Sequence, residues 1–534
     1  MTQFELKKST AVRPWDKHWQ FCAGSGHAGL ALRADYTRQL AEAAKDLGIR
    51  RVRFHGIFCE DMHTVHAFED VMALPVKSGI TEKSFRLCGV AYDNVLAAGM
   101  KPFVELSFMP NSMAKEDVHG MFYYKPNICM PKDDAEWTEY ITHFIEFLLD
   151  RYGAEEVEQW YFEVWNEPDL VIPFFHGTQE DYFHLYEITV RAIKAADPRL
   201  RVGGPATSGS KWVASFVKYM KEHDVPVDFV STHQYAGDPL GGVKDQGGPD
   251  AQDGSAEIDE GYREQMAQRM GTVLQQAPRD AILPAFRMFM GDPLEQEGIP
   301  DDVFIQNAPV VKQQAAGLPV FYTEWNTCAT FGAYTNDTRK VAAYDVKTAL
   351  ALDGVIDGSS IWCFSDIFEE LHPFPEEFHG GFGLMTQSGI KKPVYYALEM
   401  LHHAGEQRYE LPLALDGEIS QAAFESGSET QILLTRSRLQ NRFDLPKEKV
   451  AISVELDAAP VKLILERIDE DHCNPLARWE EMGSPQVPDP REVREIEEAS
   501  TLLDEALPFT YEDGVLRTEV ALGVNDVYFI RIVK

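Results

Sequence analysis

The sequence predicts an α/β fold, a (β/α)₈ TIM barrel followed by an antiparallel β-sandwich, on three observations. From residue 20 to about 403, eight short apolar runs alternate with longer amphipathic segments, which is typical of parallel strands joined by crossover helices. Four helical segments end on a glycine just before the next strand, at Gly48, Gly99, Gly153 and Gly317, as expected for left-handed helix ends. After about residue 404 the pattern changes to short β-type runs separated by turn residues.

The eight runs predicted to be barrel strands are rich in aromatic and β-branched residues. In chain order they read FCAGSG, RVRFHGI, KPFVELSF, QWYFEVWNE, RVGGPAT, DFVSTHQYA, LPVFYTEWN and SSIWCFSD. Between them lie helical segments such as YTRQLAEAAKDLG, DAEWTEYITHFIEFLLDRYG and TRKVAAYDVKTALALDG. Eight such units that close on themselves form a barrel. A doubly wound open sheet is the structural alternative, but we discount GSGHAG in the first run as a phosphate-binding fingerprint.

The second domain is predicted from five runs, QILLTRSRL, KVAISVEL, PVKLILERI, VLRTEVAL and VYFIRIVK. We therefore expect a barrel over residues 15–403 and a β-sandwich over residues 404–534, with residues 1–14 forming an N-terminal segment that adds a strand to the sandwich. The acidic stretch 478–506, which GSPQVPDP interrupts, is expected to be a surface excursion with a short helix.

Composition excludes several partner classes. Lys and Arg number 50 against 85 Asp and Glu, a net charge of −35, which argues against nucleic acid and anionic membrane as partners. The N-terminal stretch has no apolar h-region and no run has the roughly 18 apolar residues of a membrane span. The seven cysteines are scattered and form no CxxC, as expected for reduced thiols in a cytoplasmic protein. We expect no zinc site, no other metal and no cofactor.

The active site of such a barrel lies at the carboxyl ends of its strands. The fourth strand is expected to end in Glu167 and the seventh in Glu324, so that two carboxylates face each other across the mouth. Two facing carboxylates suit glycoside hydrolysis, in which one protonates the leaving oxygen and the other attacks the anomeric carbon or activates water. Asn166 could hold a sugar 2-hydroxyl, and Trp362 could stack on the sugar ring or simply belong to the barrel core. Glu163, on the same strand as Glu167, is expected to be structural, with a basic or hydroxyl partner.

In this order, RFHGIF, VWNEP, STHQYA, FYTEWN and IWCFSDIFEE resemble the β-xylosidases of glycoside hydrolase family 39. The resemblance extends from about residue 53 to about residue 400. It implies that Glu167 is the general acid/base and Glu324 the nucleophile. It also implies a set of residues that line the subsite of the cleaved sugar: His55, Asn166, His233, Tyr235, Trp362, Glu370 and, less directly, Glu369. The implied function is a retaining hydrolase for xylan breakdown, which releases xylose from the non-reducing end of β-xylosides and xylo-oligosaccharides by double displacement.

Other activities of the same family stay open, namely those of α-L-iduronidases, β-glucosidases and arabinosidases, as does a non-catalytic sugar-binding protein. A uronate substrate calls for Arg or Lys near its carboxylate. The loop after the eighth strand offers Asp366, Glu369 and Glu370 instead, which would repel an anion and favours a neutral pentose. The expected partner is a small oligosaccharide, and assembly with further copies of the chain is left open.

The stretch from about residue 237 to 317 is long for a connection between barrel strands. It contains GDPLGGVKDQGGPDAQDGSAEIDEG, whose composition raises calcium binding. Because no EF-hand pattern fits, we expect a solvated loop on the rim of the active site.

Overall fold

The structure is a computed structural model that describes residues 2–71, 75, 78–236, 268, 271–272, 275–276, 278, 281–292, 301–371, 374–415, 419–440 and 445–534. Eight parallel strands form a closed barrel in sequential order, which confirms the predicted fold class. The barrel strands are Cys22–His27, Arg51–His55, Lys101–Leu106, Tyr161–Val164, Arg201–Thr207, Phe229–Tyr235, Val320–Asn326 and Gly358–Ile361.

Helices follow each barrel strand and cover the outside of the barrel. The principal ones are Ala34–Leu47, Arg86–Ala97, Asp134–Tyr152, Gln179–Ala196, Val213–Glu222, Ile282–Met290, Val303–Gln314, Arg339–Ala351 and Pro393–His403. Their apolar faces pack on the strands in one large core. All four glycines predicted to end helices have positive φ, and Gly48 is a left-handed C-cap with φ 67°. The predicted stretch GDPLGGVKDQGGPDAQDGSAEIDEG lies outside the described residues.

The sandwich consists of two sheets. One contains Thr2–Leu6, Glu448–Glu455, Val515–Leu522 and Thr510–Glu512 in spatial order, and Thr2–Leu6 pairs parallel to Glu448–Glu455. The other contains Glu505–Ala506, Lys462–Ile468, Val527–Val533, Glu429–Thr435, Ser420–Ser426, Gln407–Tyr409 and Val12–Pro14. Their facing apolar side chains form a second core, with Phe4 and Leu6 from the first strand fully covered.

Two features of the periphery differ from expectation. The acidic stretch predicted to carry one short helix has two, Pro475–Glu481 and Pro490–Ser500, because an Asp489 capping box starts the second one. Part of this stretch is buried as well, since Trp479 packs against Phe378 of the barrel at a ring distance of 5.4 Å. Among the described helices, none is both long and apolar enough to cross a membrane.

Candidate active site

The two glutamates singled out from the sequence lie at the carboxyl-terminal mouth of the barrel. Glu324 lies within the seventh strand, but the fourth strand ends at Val164 and Glu167 belongs to the loop that follows. The expectation that Glu167 is the last strand residue is therefore wrong. The ladder stops early because Trp165 and Glu167 take left-handed backbone conformations, with φ of 70° and 41°. The Glu167 N–H donates to the Ala206 carbonyl at 2.9 Å, which fixes the loop against the fifth strand.

His233 lies between the two carboxylates. It pairs with Glu324 in the register of the sixth and seventh strands, so both side chains point into the mouth. Its Nδ1 is 2.9 Å from Glu167 Oε1 and 3.6 Å from Glu324 Oε2. One oxygen of each carboxylate and the histidine nitrogen all lie within 4.8 Å of one another. The geometry therefore brings together three residues that the sequence placed on three different strands.

Glu324 is held by two donors. Arg53 Nη1 donates to Oε1 at 2.8 Å, and the Tyr235 hydroxyl donates to Oε2 at 2.8 Å. Burial raises the pKa of Glu324, and the charge of Glu167 adds to this, while the charge of Arg53 opposes it. Arg53 is thus a cation in direct contact that favours the ionised form of this carboxylate.

Arg53 is a site residue that the sequence reasoning missed. It is fully buried and also reaches Glu163 through Nε at 2.6 Å, Glu105 through Nη2 at 2.8 Å and Asn166 Oδ1 through Nη2 at 2.8 Å. Glu163 accepts a second bond, from Thr323 Oγ1 at 2.8 Å, so the prediction that it has a basic or hydroxyl partner is confirmed, and it has both. The signal in the sequence was the two-residue alternation of side chains along a strand. Arg53 lies two positions before His55 on the same strand and therefore shares its inward face.

His55 links this charged layer to the loop after the eighth strand. Its Nδ1 is 2.6 Å from Glu105 Oε2, and its Nε2 is 3.2 Å from Glu370 Oε1 and 3.6 Å from Glu324 Oε1. Burial lowers the pKa of His55, but the Glu105 and Glu370 carboxylates outweigh it and raise the value to about 10. Burial lowers the pKa of His233 to about 4. At neutral pH the site therefore contains one charged and one neutral imidazole.

Trp362 follows the eighth strand directly, and its ring lies 4.9 Å from that of His55. It also contacts the first strand, where a Cβ added to Gly24 would come within 2.3 Å of Trp362 Cε3. A Cβ on Gly26 would come within 1.9 Å of the Phe368 carbonyl oxygen. GSGHAG does have G-x-G-x-x-G spacing, yet in this barrel its first two glycines make room for the loop after the eighth strand.

The three acidic residues of that loop have different surroundings. Glu370 is buried and faces His55. Glu369 lies at the more exposed rim, ion-paired with Arg33 and accepting a bond from the Tyr123 hydroxyl at 3.2 Å. Asp366 is buried against Lys392 Nζ at 2.6 Å. Lys392 Nζ also binds Asp337 at 2.7 Å, so one cation is shared by two aspartates, and the expected repulsion of an anion by the three residues stays a prediction.

Polar and aromatic groups complete the mouth. Among the described residues, Asn166 Nδ2 and His233 Nε2 are buried without a hydrogen-bond partner. The rings of Phe108 and Phe174 lie 6.4 Å and 6.0 Å from that of His55. An apolar wall with a few convergent polar atoms is the usual composition of a small-molecule site.

The oxygen and nitrogen atoms at the mouth are also potential metal ligands. Within the described part of the chain, Glu167, His233 and Glu324 are the group of donors close enough to hold an ion. An ion bound there would occupy both predicted catalytic carboxylates and block their use.

Comparison with known proteins gives consistent matches over nearly the whole chain. The model of "Glycosyl hydrolases family 39" matches residues 2–246 and 300–516. A beta-xylosidase of Caldicellulosiruptor saccharolyticus is 33% identical over 503 residues, 92% of this chain and 90% of the relative. A beta-xylosidase of Geobacillus stearothermophilus is 31% identical over 529 residues, 98% of this chain and 94% of the relative. The crystal structure of a monomeric beta-xylosidase from Caulobacter crescentus CB15 superposes with a TM-score of 0.78 at 28% identity, covering 100% of this chain and 99% of the other.

Proposed function

The chain belongs to glycosyl hydrolase family 39, and we propose that this glycoside hydrolase releases xylose from the non-reducing end of β-xylosides with retention of configuration. The two beta-xylosidases described above cover more than nine-tenths of the chain, which supports xylosides over glucosides, arabinosides and iduronides. The observation that carries the mechanism is the pair of carboxylates at Glu167 and Glu324.

The spacing of that pair supports double displacement. One oxygen of Glu167 lies within 4.8 Å of one oxygen of Glu324. Retaining enzymes hold their carboxyl groups about 5–5.5 Å apart, whereas inverting enzymes need about 6.5–9.5 Å to admit a water molecule. The gap here suits direct attack by one carboxylate on the anomeric carbon.

Glu324 is the better nucleophile and Glu167 the better acid. Arg53 and Tyr235 both donate to Glu324, which stabilises its ionised form. In the first step a Glu324 oxygen bonds to the anomeric carbon, the bond to the leaving oxygen breaks, and that oxygen takes the proton of Glu167. In the second step Glu167 takes a proton from water, the water oxygen bonds to the anomeric carbon, and Glu324 leaves.

Two further residues fit the sugar. Asn166 uses its Oδ1 to accept from Arg53, so the side-chain amide is oriented while Nδ2 stays available for the sugar 2-hydroxyl. A hydrogen bond there strengthens in the oxocarbenium-like transition state. Trp362 offers a ring beside His55 on which the sugar can stack.

The test combines product stereochemistry with two variants. Early hydrolysis of a β-xyloside, followed by NMR, should show the β-anomer of xylose first. Glu324→Ala should lose turnover of every substrate, while Glu167→Ala should keep its first step on activated nitrophenyl xylosides and form a β-xylosyl azide when azide is added. Glu425→Ala, on the sandwich, is the matched control and should behave as the wild type.

Three results would contradict the proposal. Initial release of α-xylose would exclude double displacement. Near-normal activity of Glu324→Ala would exclude its role as nucleophile. Faster turnover of a nitrophenyl glucoside, arabinoside or iduronide than of the xyloside would reassign the substrate, and binding without turnover of any of them would indicate a sugar-binding protein.

A further inference from the structure

Buried His27 and half-buried Tyr124 form a pair beside the sugar subsite that the reaction described above does not use. His27 ends the first barrel strand and pairs in register with His55, so both rings point into the mouth. Its ring stacks on Tyr124 at a centroid distance of 4.4 Å and an angle of 15°. Its Nε2 is 2.7 Å from Asp61 Oδ2.

Both residues carry a buried polar atom without a partner among the described residues, Nδ1 of His27 and the hydroxyl of Tyr124. Such atoms are rare in folded proteins and call for an explanation. In the neutral imidazole, Nε2–H donates to Asp61 and Nδ1 is an acceptor. Burial raises the pKa of Tyr124, and the nearby Glu370 charge adds to this, so its hydroxyl keeps its proton and remains a donor. The pair thus presents one acceptor and one donor, which is the complement of a single alcohol group.

The position of the pair relative to Glu167 and Glu324 indicates which end of a bound sugar it would contact. His55 Nε2 lies 3.6 Å from Glu324 Oε1 on one side and 3.2 Å from Glu370 Oε1 on the other. The Glu370 segment in turn is bonded to the loop that carries Tyr124, since the Tyr123 N–H donates to the Glu370 carbonyl at 3.2 Å. His27 is the strand neighbour of His55, and Tyr124 follows Tyr123 on the loop bonded to Glu370, which puts the pair on the Glu370 side of His55, away from Glu324.

We propose that His27 and Tyr124 close the subsite at the end far from the scissile bond and bind the 4-hydroxyl of a terminal pyranose. This proposal rests on the proposed function and deepens it. A sugar extended through its 4-oxygen would lack the proton that His27 accepts and would place its next residue against the stacked rings. The same two side chains therefore select unsubstituted chain ends, and Asp61 acts as the positioning residue that fixes the histidine tautomer.

The experiment is a thermodynamic cycle that removes the substrate hydroxyl and the enzyme group separately and together. kcat/KM is measured for nitrophenyl β-xyloside and its 4-deoxy analogue on the wild type, Tyr124→Phe and His27→Phe, two variants that keep the aromatic stack. The wild type should disfavour the 4-deoxy sugar by at least about tenfold. In each variant that preference should shrink by at least about fivefold, because the group that recognised the missing hydroxyl is gone.

Two internal controls make the result specific. Tyr92 also has a buried hydroxyl without a partner among the described residues, but it lies on the helix Arg86–Ala97, so Tyr92→Phe should keep the full 4-deoxy penalty. The penalty for a 2-deoxy xyloside, which reports on the other side of the ring, should be the same in every variant. Asp61→Asn should weaken the 4-deoxy discrimination while leaving the 2-deoxy penalty intact.

A 4-deoxy penalty that persists undiminished in Tyr124→Phe and in His27→Phe would overturn the assignment. This failure is distinct from failure of the proposed function, which would appear as absence of xyloside turnover in the wild type. In that case the cycle is run with the 4-deoxy analogue of whichever pyranoside the wild type hydrolyses, and the same comparison decides.

Discussion

Replacing Arg53 by methionine should move the acid limb of kcat/KM to higher pH. Arg53 is fully buried and donates to Glu324 at 2.8 Å and to Glu163 at 2.6 Å. Glu324, the proposed nucleophile, must be ionised to attack, and burial already raises its pKa. Methionine fills a similar volume but removes the positive charge that opposes protonation, so the pKa of Glu324 must rise further.

The size of the shift follows from the contact. Unit charges about 4 Å apart at an effective dielectric constant of about 20 interact by about 4 kcal/mol. At about 1.36 kcal/mol per pKa unit this corresponds to about three units. Relaxation of the neighbours and entry of water reduce it, so we expect a shift of at least about one unit. Removing one partner from a buried ion pair also costs about 3–5 kcal/mol of folding stability.

The assay measures kcat/KM of a nitrophenyl β-xyloside against pH at a temperature where circular dichroism shows the variant to be folded. Arg53→Lys is the matched control, because it restores the charge without the planar fork, and its acid limb should lie between those of the wild type and Arg53→Met. A folded Arg53→Met variant whose acid limb coincides with that of the wild type would refute the role given to this cation.

Two further substitutions test residues that hold Arg53 and Trp362 in position. Glu163→Gln should reduce the free energy of unfolding by about 1.5–3 kcal/mol, because it loses the charged hydrogen bond to Arg53. Its effect on kcat should be smaller than its effect on stability. Urea unfolding and steady-state kinetics measure the two quantities, and normal stability with lost turnover would contradict the structural role. Gly24→Ala should lower kcat/KM and cost about 1–3 kcal/mol, because the added methyl group would lie 2.3 Å from the Trp362 ring. Gly271→Ala, where no described atom lies within 4 Å of the added methyl, is its control, and equal effects of the two would argue against the clash.

The fold could be predicted because its signals are local. Strands such as Phe229–Tyr235 and Val320–Asn326 are rich in aromatic and β-branched residues, and helices such as Asp134–Tyr152 have capped, amphipathic sequences. The strand Ser420–Ser426 was missed because SQAAFES has little β propensity. It forms by pairing along its full length with Glu429–Thr435, a tertiary effect that propensity does not report.

The site was only partly predictable for a related reason. A carboxylate next to a predicted strand end, such as Glu324, can be recognised from one segment of sequence. Arg53 contacts Glu105, Glu163 and Glu324, which come from three other strands, and these groups become neighbours only when the barrel closes. The two carboxylates at the mouth could therefore be predicted from the sequence, whereas the neighbouring charges that set their protonation could be identified only from the structure.

The structure also changes the physical reason for the expected discrimination against uronate substrates. In the sequence it depended on three carboxylates after the eighth strand, and in the structure Asp366 pairs with Lys392 and Glu369 with Arg33. The same contacts occupy the cations, since Lys392 also binds Asp337 at 2.7 Å and Arg33 also binds Asp35 at 2.7 Å. A uronate carboxylate would have to break one of these pairs to gain a partner, at the cost of uncovering an aspartate or a glutamate. We therefore expect a preference for a neutral sugar, because each of these two cations already faces two carboxylates and has no charge to spare for a uronate.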